Sequence, residues 1–184
     1  MRKDSFLKAG ASALLAAVLA AACTDNDTDI RSTATVALVD TTGKNVGTAT
    51  LAENNAGIVT VTVEVTGLPA GEHGIHFHEV GIADPNAKPP FSTAGEHYNP
   101  GGEEHGLENP NGTHAGDLPN LLINSQGTGT LQTTTNRISI SDGPRTLLDA
   151  NGSTLIIHVA RDDQRTNPAG NSGGRIAGGV VVRN

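Results

Sequence analysis

Residues 57–67 read GIVTVTVEVTG, in which Val59, Val61, Val63 and Val65 alternate with Thr60, Thr62, Glu64 and Thr66. Successive side chains of a β-strand point to opposite faces, so this spacing predicts a strand with one apolar and one polar face. Upstream, STATVALVD (32–40) and VGTATLAE (46–53) alternate in the same way, and the turn-forming stretches TTGKN and ENNAG separate the three. They read as three successive antiparallel strands. Downstream, HGIHFHEVG, LPNLLINS, GTGTLQTTT, STLIIHVA and RIAGGVVV are further strand candidates, and helical periodicity is almost absent. Eight short strands with tight turns predict an all-β domain, an eight-stranded antiparallel Greek-key barrel or sandwich. Residues 81–117 do not fit a tight turn: they form a long connection rich in Gly, Pro, Asn and His. Connections of that length are usually functional or disordered.

The N-terminus stands apart. MRKDSFLK is basic, AGASALLAAVLAAA is apolar but short and Ala-rich for a membrane span, and Cys23 follows at once. Residues 1–23 read as an export signal. The ending LAAAC resembles a bacterial lipoprotein signal, which implies lipidation at Cys23, although Leu19 sits one place earlier than that pattern prefers and Ala20 holds its position. An ordinary signal cleaved nearby is the other reading. Export implies a periplasmic or cell-envelope location, with a membrane met only through the N-terminal lipid. Residues 24–31, TDNDTDIR, read as a polar tether, and residues 32–184 as one domain with a real core. Cys23 is the only cysteine, so no intrachain disulfide can form. Removing Arg2, Lys3, Lys8 and Asp4 takes 12 basic and 19 acidic residues to 9 and 18, a net charge of −9. That balance argues against nucleic acid or an anionic membrane face as a partner.

The histidines carry the chemistry. In HGIHFHEVG, His76 and His78 lie two apart and share one strand face, while Ile75 and Phe77 point the other way. His73 is off that face. His97, His105 and His114 fall in the long connection, Asp117 follows in HAGDL, and His158 sits on a late strand in LIIHVA. Imidazoles with a carboxylate are a ligand set for zinc or copper, and a metal would order a long loop. H-x-H alone also occurs in zinc hydrolases, but Glu79 and Val80 follow here in place of the Asp and His that a metallo-β-lactamase-like site would carry. A nucleophilic triad has no serine in a nucleophile elbow, and the lone cysteine belongs to the export signal.

HGIHFHEVG, STAGEHYNP, HAGDLPN, LIIHVARDD and GNSGGRIAGGV together resemble the copper,zinc superoxide dismutase family over residues 32–183. The intervals agree as well: eight positions from His97 to His105, nine to His114 and three to Asp117. The resemblance implies a Greek-key barrel with a long metal-binding loop and a second active-site loop. It implies copper on His76, His78, His97 and His158, and zinc on His97, His105, His114 and Asp117, with His97 shared. It further implies Asp162 as a carboxylate behind a copper-side and a zinc-side histidine, and Arg175 as the cation that draws superoxide to the copper. His73 has no ligand role in it. The implied activity is dismutation of superoxide to dioxygen and hydrogen peroxide by alternating reduction and oxidation of the copper, with His97 releasing copper and taking up a proton. The resemblance admits a monomer or a homodimer, and no long apolar surface stripe in the sequence decides between them.

This chain departs from the family in one respect. Where the resemblance implies two cysteines joined in a disulfide, Phe91 and Gly178 stand instead. Phe91 is expected to pack into the space that Gly178 leaves; exposure in a mobile NAKPPF turn is the alternative. Two other functional readings stay open at this stage: an exported copper- and zinc-binding protein of the same fold without catalysis, and a β-sandwich whose histidines only order a loop.

Overall fold

The computed structural model describes residues 27–184. These form nine strands and one short 3-10 turn, Ser92–Ala94. The strands are β1 (Ile30–Asp40), β2 (Asn45–Asn54), β3 (Val59–Thr66), β4 (Gly71–His73), β5 (Ile75–His78), β6 (Leu121–Ile123), β7 (Thr128–Thr135), β8 (Thr154–His158) and β9 (Arg175–Arg183). They bond in the order β4-β6-β7-β3-β2-β1-β9-β8-β5, every neighbour antiparallel. The outermost two, β4 and β5, are consecutive in the chain, so the sheet curls into a nearly closed barrel. The export-signal reading and Cys23 fall outside the described residues. Ile30 and Arg31, assigned from sequence to the tether, belong to β1.

Nine strands replace the eight expected because HGIHFHEVG breaks at Gly74. Before the break His73 pairs with Leu121 of β6, and after it Ile75 pairs with Ile157 of β8. Gly74 itself donates to the Ala160 carbonyl (2.9 Å) and accepts from the His158 N–H (2.8 Å). A Cβ there would come within 2.8 Å of the Ser172 Cβ and 3.2 Å of the Asp162 Cβ. Only glycine lets the chain change partners against that wall.

The alternation read from the sequence sorts the faces. Val59, Val61, Val63 and Val65 point into the core with Leu38, Leu51, Ile75, Phe77, Leu155 and Ile157, and the β3 threonines face outward. β5 and β8 are buried on both faces. Their inner residues join the core, while His76, His78, Ile156 and His158 point outward under the loop of residues 79–120. That loop is laid along β5 by main-chain bonds from Glu79 to Glu96 (3.0 Å), Val80 to Ala94 (3.0 Å) and Tyr98 to Phe77 (2.8 Å). The same cover buries Phe91 completely, in a small second cluster with Ala94 and Ile156.

Glu53 lies on the inward parity of β2 and is fully buried. Its Oε2 accepts the N–H groups of Ile140 (2.8 Å) and Ser141 (2.7 Å), and its Oε1 accepts from Arg31. Burial pushes its carboxyl up, but the Ser141 N–H, the Arg31 guanidinium and the Ile140 N–H outweigh this and hold it below its ordinary value. A lowered carboxyl adds stability above the ordinary carboxylate pKa, and that stability disappears as pH falls through the folded value. We predict that Glu53→Gln destabilises the fold by about 1–3 kcal/mol near neutral pH, with the deficit shrinking in acid. Urea unfolding of both proteins across pH checks this, and a deficit independent of pH would mean that the charge on Glu53 contributes nothing.

Candidate metal centre

The outward face of β5 and the end of β8 set out the first cluster. His76 and His78 come from β5 and His158 from β8, and His97 is brought beside His78 by a main-chain bridge from the loop. All four side chains are buried. Each commits one ring nitrogen to a fixed partner. His76 Nε2 donates to Asp162 Oδ2 (2.7 Å), His78 Nδ1 to the Gly95 carbonyl (3.0 Å) and His158 Nδ1 to the Gly173 carbonyl (3.1 Å), while His97 Nδ1 lies 3.1 Å from Asp117 Oδ1. The opposite nitrogens, His76 Nδ1 and the Nε2 atoms of His78, His97 and His158, are buried and have no hydrogen-bond partner. The donor atoms of these four residues lie within 4.8 Å of one another. Buried polar atoms are normally paired, so four bare lone pairs converging on one point fit a cation.

The second cluster is built entirely from the loop. His97 Nδ1 and His105 Nδ1 lie 3.1 and 3.0 Å from Asp117 Oδ1, and His114 Nδ1 lies 3.6 Å from that oxygen and 3.2 Å from His97 Nδ1. A tetrahedron with zinc bonds of about 2.0–2.1 Å has edges of about 3.3–3.4 Å, so these separations suit one ion. His76 also approaches His97, His105 and Asp117 within 4.8 Å. Its Nε2 is taken by Asp162, however, and its bare Nδ1 belongs with the first cluster, which leaves His114 as the fourth donor. Asp117 is fixed through its other oxygen by the N–H groups of Gly106 (2.9 Å) and His114 (3.0 Å).

Asp162 ties the clusters together. Its Oδ2 accepts from His76 Nε2 and its Oδ1 from His105 Nε2 (3.1 Å), one histidine from each set. Such partners fix ring orientation and tautomer. Two residues that sequence reasoning passed over extend this shell. Asn120 exchanges bonds with the Asp162 main chain (2.8 and 2.9 Å), and Arg137 Nη2 donates to the Asp117 carbonyl (2.7 Å). Asn120 closes the HAGDLPN motif and was open to notice; no motif marks Arg137. His73 stands apart from both sets, buried between the carbonyls of His158 (2.7 Å) and Pro69 (3.0 Å).

Arg175, at the start of β9, spends two donors on the loop, Nη1 on the Phe91 carbonyl (2.6 Å) and Nη2 on the Gly95 carbonyl (2.6 Å). Gly95 also receives His78, so the guanidinium is locked beside the first cluster. An open depression of about 230 Å³, walled by Pro89, Pro90, Ser92, Gly173 and Gly174, reaches Arg175. A larger one of about 400 Å³, near Arg137 and Arg145, is lined by no histidine.

Fold and site together define a β-barrel metalloprotein with two adjoining histidine clusters that share one ring. Residues 45–181 match the sequence profile of the copper/zinc superoxide dismutase family. A superoxide dismutase [Cu-Zn] of Deinococcus radiodurans is 42% identical over 156 residues, which cover 78% of this chain and 80% of that protein. Superoxide dismutase [Cu-Zn] 2 of Aquifex aeolicus is 39% identical over 146 residues, covering 78% and 83%. Among solved structures, a double mutant of a SOD-like protein from Bacillus subtilis superposes with a TM-score of 0.75 at 39% identity, covering 80% of this chain and 96% of that one. The chain belongs to the copper/zinc superoxide dismutase family. Copper suits the four imidazoles of the first cluster, and zinc suits the three imidazoles and one carboxylate of the second.

Burial pushes His97 down to about 4 and His158 to about 3, and it lowers His76 and His78 as well, His78 further through His97 and Arg175. His105 runs the other way: burial lowers it, but bonds to Asp117 and Asp162 outweigh that and raise it to about 9. In the metal-free protein, therefore, four imidazoles bind fewer protons folded than unfolded below the free-histidine value of about 6.5. The stabilisation from His105 is complete below that pH and is lost only as pH rises toward about 9, so it does not mask the effect. The chelated protein is predicted to lose stability steadily as pH falls from about 6.5 to about 4.5, whereas the metal-loaded protein resists until protons displace the ions. Denaturant midpoints of both forms test this; a chelated midpoint that holds or climbs over that range refutes it.

Proposed function

We propose that this chain dismutates superoxide, two anions and two protons yielding one dioxygen and one hydrogen peroxide. The observation that carries the reading is the convergence of four bare, buried imidazole nitrogens beside a guanidinium locked by two carbonyls. Copper held by His76, His78, His97 and His158 supplies the one-electron redox chemistry. The protein's own part is to hold, attract and protonate. Three of those donors stand on barrel strands, which keep their spacing fixed while charge changes at the site. Arg175 is a fixed positive charge on a chain that is acidic overall, so an anion is drawn toward it and away from the general surface. The remaining donor capacity of its guanidinium can orient that anion. His97 is the one ring shared by both clusters: Asp117 and its partners hold Nδ1 in place, so that Nε2 can carry a proton without the ring swinging away. Asp162 keeps His76 in one tautomer.

A metal-binding protein without catalysis would use the same donors. Storage has no need of a guanidinium beside the first cluster, and the placement of Arg175 favours the enzyme. We also propose export and tethering through Cys23; support comes from the basic and apolar residues that precede it in the sequence.

The test begins with the chain from Thr24 onward, reconstituted with copper and zinc, with metal content and dismutation measured on one sample. One ion of each metal and fast, salt-sensitive turnover are expected, and full metal content without turnover would falsify the reading. Arg175→Gln is predicted to slow the reaction by about tenfold or more and to flatten its salt dependence while metal content stays normal. An unchanged rate and salt slope would remove Arg175 from the reaction.

A further inference from the structure

Phe91 holds β9 at two places. Its ring is fully buried with Ala94 and Ile156, with Val39 and Ala83 packed around it. The ring lies over Gly178: a Cβ built there would meet Ile156 Cδ1 at 2.6 Å and Phe91 Cδ1 at 3.2 Å, so any side chain at 178 would press on both. Its carbonyl, meanwhile, accepts from Arg175 Nη1, three residues earlier on the same strand. The backbone between these two contacts is left-handed, φ 58° and ψ 13°, a region that residues with a side chain seldom enter. That geometry aims the carbonyl, which also takes the Ala94 N–H at 3.1 Å, and the Phe91 N–H is pinned to the Asp84 carbonyl at 2.9 Å. A conformation of this kind persists only where its surroundings impose it, and here they are the buried ring together with the main-chain bonds to Asp84, Ala94 and Arg175.

We infer that Phe91 is a positioning residue for Arg175: its ring, seated on Gly178, sets the carbonyl that holds the guanidinium toward the anion. The inference deepens the reading of Arg175 given above and rests on it. A packed ring thereby does what a covalent tie between these two positions would do. Because the chain has no cysteine besides Cys23, the anion site keeps its shape whatever the thiol redox state around it.

The test uses the copper,zinc-loaded protein and reads azide affinity from the copper absorption, with metal content and melting temperature alongside. Phe91→Ala is expected to weaken azide binding by about tenfold, the scale of one lost charge-assisted hydrogen bond, and Phe91→Leu, which refills part of the space, by less. Gly178→Ala, which presses on the ring from the other side, is expected to weaken it too. The decisive arm is the double variant Phe91→Ala/Arg175→Gln. If Phe91 acts through Arg175, it binds azide no more weakly than Arg175→Gln alone, whereas independent effects multiply. Multiplying losses overturn the inference, as does wild-type azide affinity in both Phe91→Leu and Gly178→Ala while Arg175→Gln is impaired; in either case the role of Arg175 survives. Unchanged affinity in Arg175→Gln itself is a different failure, which removes that role and the inference with it.

Discussion

The loop over the barrel is folded around one buried carboxylate. Asp117 has no exposed surface, yet three imidazoles crowd one of its oxygens and two main-chain N–H groups occupy the other. Burying a carboxylate is costly unless it is both neutralised and hydrogen-bonded. Every donor that meets this demand comes from residues 97–114, so satisfying Asp117 pulls a long, Gly- and Pro-rich segment into a single conformation. Bonds from His105, His114 and His97 hold its carboxyl far below the usual range even though burial pushes it up. Asp162 repeats the arrangement on a smaller scale, bridging His76 and His105. Apolar anchors such as Phe91, Tyr98 and Leu118 seat the loop on the barrel, and the carboxylates fix the polar segments between them.

Much of this was legible in the sequence because it depends on periodicity. The valines of β3 alternate into the core, and His76 and His78 share a face away from Ile75 and Phe77, as strand parity requires. Where periodicity ends, legibility ends with it. The break at Gly74 is invisible to alternation, because His73, Ile75 and Phe77 are all buried and the pattern runs straight through. What breaks the strand is the approach of Ser172 and Asp162 from a distant loop. Arg31 read as tether because its partner, Glu53, lies on the next strand. Glu53 falls on the inward parity with Ala49 and Leu51, but nothing in its own strand shows that the main chain of Ile140 and Ser141 folds over it.

The same limit applies at the site. The resemblance to the family implied which histidines to group, and the structure brings His76, His78, His97 and His158 together and places His105, His114 and Asp117 beside them. The carbonyls that aim them had no signature. Gly95 receives both His78 and Arg175, and Gly173 receives His158, through main-chain atoms that every residue carries. A main-chain acceptor is specified by loop conformation, which a one-dimensional reading does not resolve.

The two clusters draw on different parts of the molecule, and this division accounts for how each can serve. Three donors of the first stand on β5 and β8, whose inner faces are locked into the apolar core, so their spacing is set by the barrel. All four donors of the second lie between residues 97 and 117, so that cluster exists only when the loop is ordered, and orders it in turn. His97 is the single residue common to both, supplied by the loop and pressed against the barrel by its bridge to His78. A triad held on barrel strands is thus completed by one ring that the loop supplies. The opposite assignment, copper in the loop cluster and zinc on the barrel, would make every copper donor depend on the order of one segment, residues 97–117.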